Sequence, residues 1–427
     1  MLKIDFSNCY DDKIGEEGIS KEDVNAISSG LKDTISQLSK WRESQDAIFF
    51  DYPATPGLCE PFKQASRDYF SKYENLVVLG IGGSALGLSF LAGALLPPFY
   101  NQFSKGMKLF VCDNVDPDSF SKLMNSINLK KTLFNVISKS GGTVETASQF
   151  FLIAERLKAV MGEDWRKNLI LTTDPERGLL RAYAYKYGIR AFDIPSKLGG
   201  RFSVLSAVGL LPAAIMGINV EGLIRGALTA REYCELASLD ENPALHLAAI
   251  SYLMDVKRKK NISIMLPYAD SLKLFADWYA QLWGESLGKE GKGTTPMKAL
   301  GATDQHSQLQ LYMEGPNDKL ITFITAEKFR EKTDKIIPLM EGFDYLVGKD
   351  LGDLINAEAL ATSGALTQAK RPNITIKLPS LSSQSIGELI FLYETVTALT
   401  GALYQINPFD QPGVEIGKKL TKEILSQ

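Results

Sequence analysis

Residues Thr132 to Gln149 read TLFNVISKSGGTVETASQ. Leu133 to Ser138 is a short, mostly apolar, β-prone run, the pattern of a buried strand, and a helical pattern begins at Val144. Between them lies Ser138-Lys139-Ser140-Gly141-Gly142-Thr143. A loop of hydroxyls and glycines joining a strand to a helix is an anion cradle. The glycines let backbone N–H groups approach a ligand, the hydroxyls add donors, and the unpaired N–H groups of the helix start point at it. The helix end alone contributes roughly 0.3–1 kcal/mol toward a negative group. Thr143 as a plain N-cap is the competing explanation, but the run of small polar residues is longer than a cap needs.

The same strand–helix unit recurs on both sides of this stretch. Strands are expected at 76–79, 107–112, 133–138, 168–172 and 190–194, separated by helices at 84–96, 117–128, 144–160 and 176–187. Continuous apolar strands alternating with helices indicate a parallel sheet covered on both faces. Such sheets bind ligands outside the carboxyl ends of their strands, where the loops after Leu79 and after Ser138 both fall. Helices dominate from 201 to 259. A second alternation follows, with strands at 261–266, 297–300, 319–324 and 373–378, and helices running through 287, from 305 and from 356. Two helices, at 385–404 and 414–425, close the chain. Before the first sheet, a short strand and an amphipathic helix are expected, with Ser20 as N-cap and Glu22 and Asp23 in the first turn. The segment 51–61, rich in proline, reads as a connector.

The composition is that of an ordinary enzyme. The 427 residues carry 45% hydrophobic and 23% charged side chains and a net charge of −3. No basic excess points to nucleic acid. The four cysteines (Cys9, Cys59, Cys112, Cys234) are far apart and read as reduced thiols of a cytoplasmic protein. The first residues are charged where a signal peptide is apolar. Apolar runs such as 85–97 are too short to span a bilayer, so no membrane partner is expected. With only His246 and His306 in the chain, and no clustered ligand set, no protein-bound catalytic metal is expected.

Five further stretches carry chemistry. Gly80-Ile81-Gly82-Gly83-Ser84-Ala85 follows a strand and opens a helix, and it satisfies the GxGxxG/A dinucleotide fingerprint, with Asp113 near the place of a ribose-binding acid. A nicotinamide-dependent oxidoreductase is therefore an alternative, although a dinucleotide fold has no evident use for the second hydroxyl-rich loop. Gly199-Gly200-Arg201-Phe202-Ser203 places an arginine at a helix start, where a solvated side chain is the simpler explanation. Trp283-Gly284-Glu285-Ser286 ends an aromatic-rich helix and offers a candidate base; Lys289, Glu290 and Lys292 just beyond it read as solvated. Asp304-Gln305-His306-Ser307 holds one of the two histidines among polar residues, whereas His246 reads as a helix position without chemistry. Asp410-Gln411-Pro412-Gly413-Val414-Glu415-Ile416-Gly417-Lys418 opens the last helix, with Lys418 among other lysines.

Taken together, GIGGS, SKSGGTVET, GGRFS, GES, DQHS and DQPGVEIGK, in this order between residues 80 and 418, resemble the phosphoglucose isomerase family of the sugar isomerase (SIS) superfamily. Each motif is weak alone; six in order are specific, and they cover most of the chain. The resemblance implies an α/β fold of two αβα sandwich domains with parallel-type sheets, plus N-terminal and C-terminal helical segments. The corresponding division is 1–50 for an N-terminal strand and helix, 51–200 and 201–380 for the two sandwiches, and 381–427 for helices packing back on the active site. It further implies reversible conversion of glucose 6-phosphate to fructose 6-phosphate without a cofactor. By match to the family pattern, Glu285 would move the proton between C2 and C1, and Arg201 would stabilise the enediol(ate). His306, with Lys418 nearby, would open the ring. Gly83, Ser84, Ser138, Ser140 and Thr143 would hold the phosphate, Lys139 and Gln411 would line the site, and Glu145 would approach the histidine. In the family the histidine comes from the neighbouring subunit, which implies a homodimer with shared sites. Two departures stand out: Ala85 where many members have aspartate, and a chain shorter than the long animal-type forms. A dual-specificity phosphoglucose/phosphomannose isomerase is similar but typically shorter. A non-catalytic sugar-phosphate sensor would lack the base, the histidine or the lysine.

Overall fold

The structure, a computed structural model, describes residues 1–427. Its first sheet contains β2 (Asn75–Leu79), β3 (Lys108–Cys112), β4 (Thr132–Ile137), β5 (Leu169–Thr173) and β6 (Ala191–Asp193), all parallel, in the order β3-β2-β4-β5-β6. The second contains β7 (Ile262–Pro267), β8 (Thr295–Lys298), β9 (Lys319–Ala326) and β10 (Asn373–Leu378), in the order β10-β9-β7-β8. Among these strands, β2 lies between β3 and β4 in the first sheet, and β7 lies between β8 and β9 in the second. Each sheet thus has a topological switch point, between β2 and β4 and between β7 and β9, where chain direction opens a crevice at the carboxyl ends.

The strands' uninterrupted apolar character follows from burial on both faces. Leu76, Val78, Leu133 and Ile137 enter one core, while their neighbours Val77, Leu79, Phe134 and Val136 enter another. In the second sheet Met265, Leu320 and Ile324 point one way and Ile264, Leu266, Ile321 and Phe323 the other. One core of 82 buried residues takes the inner faces of both sheets. The two sandwiches therefore share a central layer of helices, including Leu86–Leu95, Ala207–Ile215, Val220–Cys234, Lys273–Leu287 and Ser383–Leu403.

The structure differs from the sequence expectation in several places. The N-terminal strand β1 (Lys3–Asp5) is not a separate segment. It pairs antiparallel with β10, so the second sheet has five strands and is mixed rather than purely parallel. A terminal strand needs no crossover helix and is free to run either way; here the Leu2 N–H donates to Glu388 Oε1 at 2.9 Å, fixing its entry. Second, Ser383–Leu403 is long and apolar enough to cross a membrane by length and composition, longer than the apolar runs weighed from sequence, yet 94% of its apolar window is buried inside the protein. It is a core helix. Third, the final helix, Glu415–Leu425, buries no residue, and so does not pack back on the body of this single chain. Ser20 caps as expected, in a reciprocal capping box with Asp23, although the first long helix divides at Ile27 into Lys21–Ala26 and Ser28–Glu43. The helix expected from Gln305 is a 3-10 turn, Thr303–His306, followed by Leu309–Glu314.

Candidate active site

The two glycine-rich loops emerge from β2 and β4, which are neighbours with Leu79 opposite Val136. They flank the switch point of the first sheet. Within the second loop, Ser138 Oγ accepts from the Gly141 N–H at 3.0 Å and lies 3.2 Å from Thr143 Oγ1. Ser140 Oγ accepts from the Gly142 N–H at 3.1 Å. Gly141 has φ +69°, and a Cβ there would sit 2.2 Å from the Leu180 nitrogen, so only glycine fits. Thr143 occupies the N-cap position of the Val144–Met161 helix but its hydroxyl makes no cap bond. Nor does any side chain cap the Leu86–Leu95 helix that follows Ser84. Simple capping, the competing explanation for Thr143, is thus absent, and the first-turn N–H groups of both helices keep their donors available for an anion.

Gly83 brings the first loop against the arginine segment. An added Cβ would lie 2.2 Å from the Gly200 carbonyl carbon. Next in sequence to that contact, Arg201 is buried, and each of its three nitrogens has a partner. Nε donates to Ser286 Oγ at 2.7 Å. Nη2 donates to the carbonyls of Pro408 at 2.6 Å and Asp410 at 2.8 Å. Nη1 donates to Gln411 Oε1 at 2.6 Å and approaches Glu285 Oε2 at 3.4 Å. Burial pulls the guanidinium below its ordinary pKa, with Glu285 opposing that shift. The solvated arginine considered from sequence is therefore ruled out. On the other side of the carboxylate, Gln281 Nε2 donates to Glu285 Oε1 at 3.1 Å. The Glu285 side chain keeps 31% of its surface accessible: it is fixed at both oxygens yet open to a reactant.

Of the residues singled out from sequence, Arg201, Glu285 and Gln411 meet directly. Gly83, Ser84, Ser138, Ser140 and Thr143 form the adjoining loops. Lys139 turns away from its loop: its Nζ donates to the carbonyls of Ser196 at 3.0 Å and Leu198 at 2.9 Å, tying the loop to the approach to Arg201. Burial lowers its pKa. Three residues lie apart within this chain. The His306 side chain is exposed and makes no hydrogen bond, its turn held by Asp304, which accepts from the Leu300 N–H at 2.7 Å. Lys418 is exposed and paired with Glu415 at 2.6 Å. Glu145, in the first turn of its helix, contacts neither. Three residues escaped the sequence reading. Gln281 sits one turn before Glu285 on the same helix face, a spacing that could have flagged it; its Oε1 is buried without a partner. Ser286, next to Glu285 in its motif, has no local sequence signal for its bond to Arg201. Lys289, which reads as solvated from sequence, has a side chain only 12% exposed and ion-paired with Asp410 at 2.6 Å.

A cavity of about 940 Å³ lies elsewhere, between β3 and the Pro117–Ser126 helix. It includes Asp113 but no residue of the Arg201–Glu285 cluster.

A glucose-6-phosphate isomerase of Carboxydothermus hydrogenoformans is 44% identical over 100% of this chain and 95% of its own length. The crystal structure of a hypothetical protein from Thermus thermophilus superposes with a TM-score of 0.89 at 36% identity, covering 100% of both chains. That of a glucose-6-phosphate isomerase from Chlamydia trachomatis gives 0.73 at 24% identity, over 86% of this chain and 72% of the other, and shares the fold. The family described as phosphoglucose isomerase matches residues 65–427, and the chain belongs to that family.

Proposed function

We infer that this chain interconverts glucose 6-phosphate and fructose 6-phosphate, the activity for which its relatives are named. The observation that carries the chemistry is the buried Arg201 guanidinium 3.4 Å from an accessible Glu285 carboxylate, beside two uncapped helix starts. Aldose–ketose isomerisation moves one proton between adjacent carbons on one face of the sugar. A single carboxylate takes it from C2 and returns it to C1, so Glu285 serves as base and then acid. Negative charge builds on the enediolate oxygens, and a preorganised cation in a water-poor setting stabilises it; Arg201 has that role. Gly83 and Ser84, with Ser138, Ser140 and Thr143, hold the phosphate and thereby fix where C1 and C2 lie. The redox change is internal to the sugar, so no nicotinamide is required.

Ring opening needs a second acid–base pair, assigned to His306 with Lys418. In the proposed homodimer His306 enters the partner's site, and Glu145 approaches it there. Two features support an assembly. The segment between β9 and the Leu351–Gln368 helix exposes Ile337, Leu339, Met340, Tyr345 and Val347, and Ile416, Leu420 and Ile424 recur every fourth residue along the final helix with no partner in the chain. Patches of this kind mark contact surfaces. A phosphorylated sugar as substrate and four unpaired cysteines support a cytoplasmic location.

The test is the purified protein supplied with fructose 6-phosphate, glucose 6-phosphate being measured by a coupled dehydrogenase. Turnover is expected in wild type. Glu285→Gln should lower kcat at least ~100-fold with KM little changed; near-normal turnover in that variant would remove Glu285 as the base. Mannose 6-phosphate in the same assay separates a dual-specificity enzyme.

A further inference from the structure

Lys289 lies just past the end of the helix that carries Glu285. Its Nζ donates to three acceptors on one turn: the Asn407 carbonyl, the Asp410 carbonyl at 2.6 Å and Asp410 Oδ1 at 2.6 Å. All three ammonium protons are thereby used. Burial lowers the lysine's pKa and Asp410 opposes that shift, as expected for a cation held largely out of water by its acceptors.

The turn it grips is the one that surrounds Arg201. The Asp410 carbonyl accepts from both Lys289 and Arg201 Nη2, and Pro408 and Gln411 supply two more of the guanidinium's acceptors. Phe409, in the middle of the turn, packs on Phe202, with ring centroids 5.3 Å apart. Four charges therefore meet at one place: Arg201 and Lys289 as cations, Glu285 and Asp410 as anions. Lys289 neutralises the Asp410 carboxylate. Without it, that carboxylate keeps only the neutral Asn407 amide at 3.2 Å, has no cation but the guanidinium nearby, and competes for the charge that the enediolate requires.

We propose that Lys289 is a positioning residue for the isomerisation: it docks the Asn407–Gln411 turn on the Glu285 helix and neutralises Asp410, so that Arg201 stays directed at the developing enediolate. The proposal rests on the roles given above to Arg201 and Glu285. Lys289 touches no reacting atom, and the phosphate loops are not among its partners. Its loss should therefore act on the transition state and leave ground-state binding alone.

The experiment compares wild type, Lys289→Met, Lys289→Arg and the double variant Lys289→Met/Asp410→Asn. Steady-state kinetics are measured for each, with binding of a phosphorylated aldonohydroxamate, which mimics the enediolate, and of a phosphorylated alditol, which does not. Lys289→Met should lower kcat about 10- to 100-fold with KM within about threefold. It should weaken the hydroxamate by a similar factor and leave the alditol unchanged. Lys289→Arg should retain most activity, and removing the Asp410 charge in the double variant should recover part of the loss. Lys289→Gln replaces Lys289→Met if the latter does not fold. Wild-type kcat in Lys289→Met, equal weakening of both ligands, or a double variant no better than the single one would each overturn the proposal. A wild-type protein without isomerase activity would instead overturn the function on which it rests.

Discussion

Arg201 directs its three nitrogens at separate acceptors on two parts of the chain, the Glu285 helix and the Pro408–Gln411 turn. Only a planar fork of donors reaches all of them; a lysine is a point charge on a flexible stem. Arg201→Lys keeps the positive charge but leaves buried carbonyls unpaired and the cation misplaced. It is expected to cut kcat by roughly 100- to 1,000-fold, the usual loss when one transition-state donor goes, while circular dichroism remains that of the folded protein. A kcat within tenfold of wild type would remove Arg201 from enediolate stabilisation. At this scale the sequence was only partly legible. Glu285, Arg201 and Gln411 stood out through ordered motifs, not through local pattern, since a lone glutamate near a helix end and a lone arginine near a helix start are ordinarily solvated. Lys289 was illegible because its partners are 118 and 121 residues away and its sequence neighbours are charged. The plain-cap explanation for Thr143 could be dismissed only when the hydroxyl's position was known.

The strands were legible because burial on both faces imposes one chemistry, uninterrupted apolar residues of β-prone type, and glycine or hydroxyl loops mark where each ends. Observed strand ends fall within two residues of the expected ones for β2 to β10. What stayed hidden were pairings between distant segments. Nothing local in Lys3–Asp5 names β10 as its partner, more than 360 residues on, and a helix pattern from Gln305 does not foretell that Asp304 folds back to accept from the Leu300 N–H. His246 is another such case, read as a helix position without chemistry. In the structure it stacks on Phe6 at 4.2 Å between ring centroids and meets Tyr10 Oη at 2.5 Å, fastening the N-terminal segment to the Pro243–Val256 helix. Burial lowers its pKa from 6.5, with Asp240 opposing that shift. Because the folded pKa lies below the unfolded one, stability is complete above about pH 6.5 and falls as the pH drops toward the folded pKa, since only the unfolded chain takes up the proton there. The slope approaches at most about 1.4 kcal/mol per pH unit. His246→Gln should remove this contribution. Denaturant melts of both proteins between pH 5 and 8 check it, and parallel pH profiles would exclude His246 as the source.

Across the whole molecule the shared central core joins two sandwiches whose switch points face different surroundings. The crevice of the first sheet lies beside the Arg201–Glu285 pair, while the turn following β8 in the second presents His306 to solvent. A single chain thus holds every residue assigned to the proposed reaction but leaves His306 and Lys418 apart from the Arg201–Glu285 pair. The proposed twofold dimer resolves this, because an isologous interface lets each subunit lend the other its histidine. Glu285→Gln and His306→Ala are each expected to be nearly inactive as pure homodimers. When the two are unfolded, mixed in equal amounts and refolded together, half of the dimers combine one of each. In such a dimer one site has lost both groups, and the other has an intact Glu285 from one subunit and an intact His306 from its partner. Activity should therefore return to about a quarter of wild type at equal total protein, as random pairing of two subunit types requires. Sedimentation should show the mixture to be dimeric throughout. If each site were complete within one chain, no mixing could restore a site, and activity would stay at the level of the separate variants.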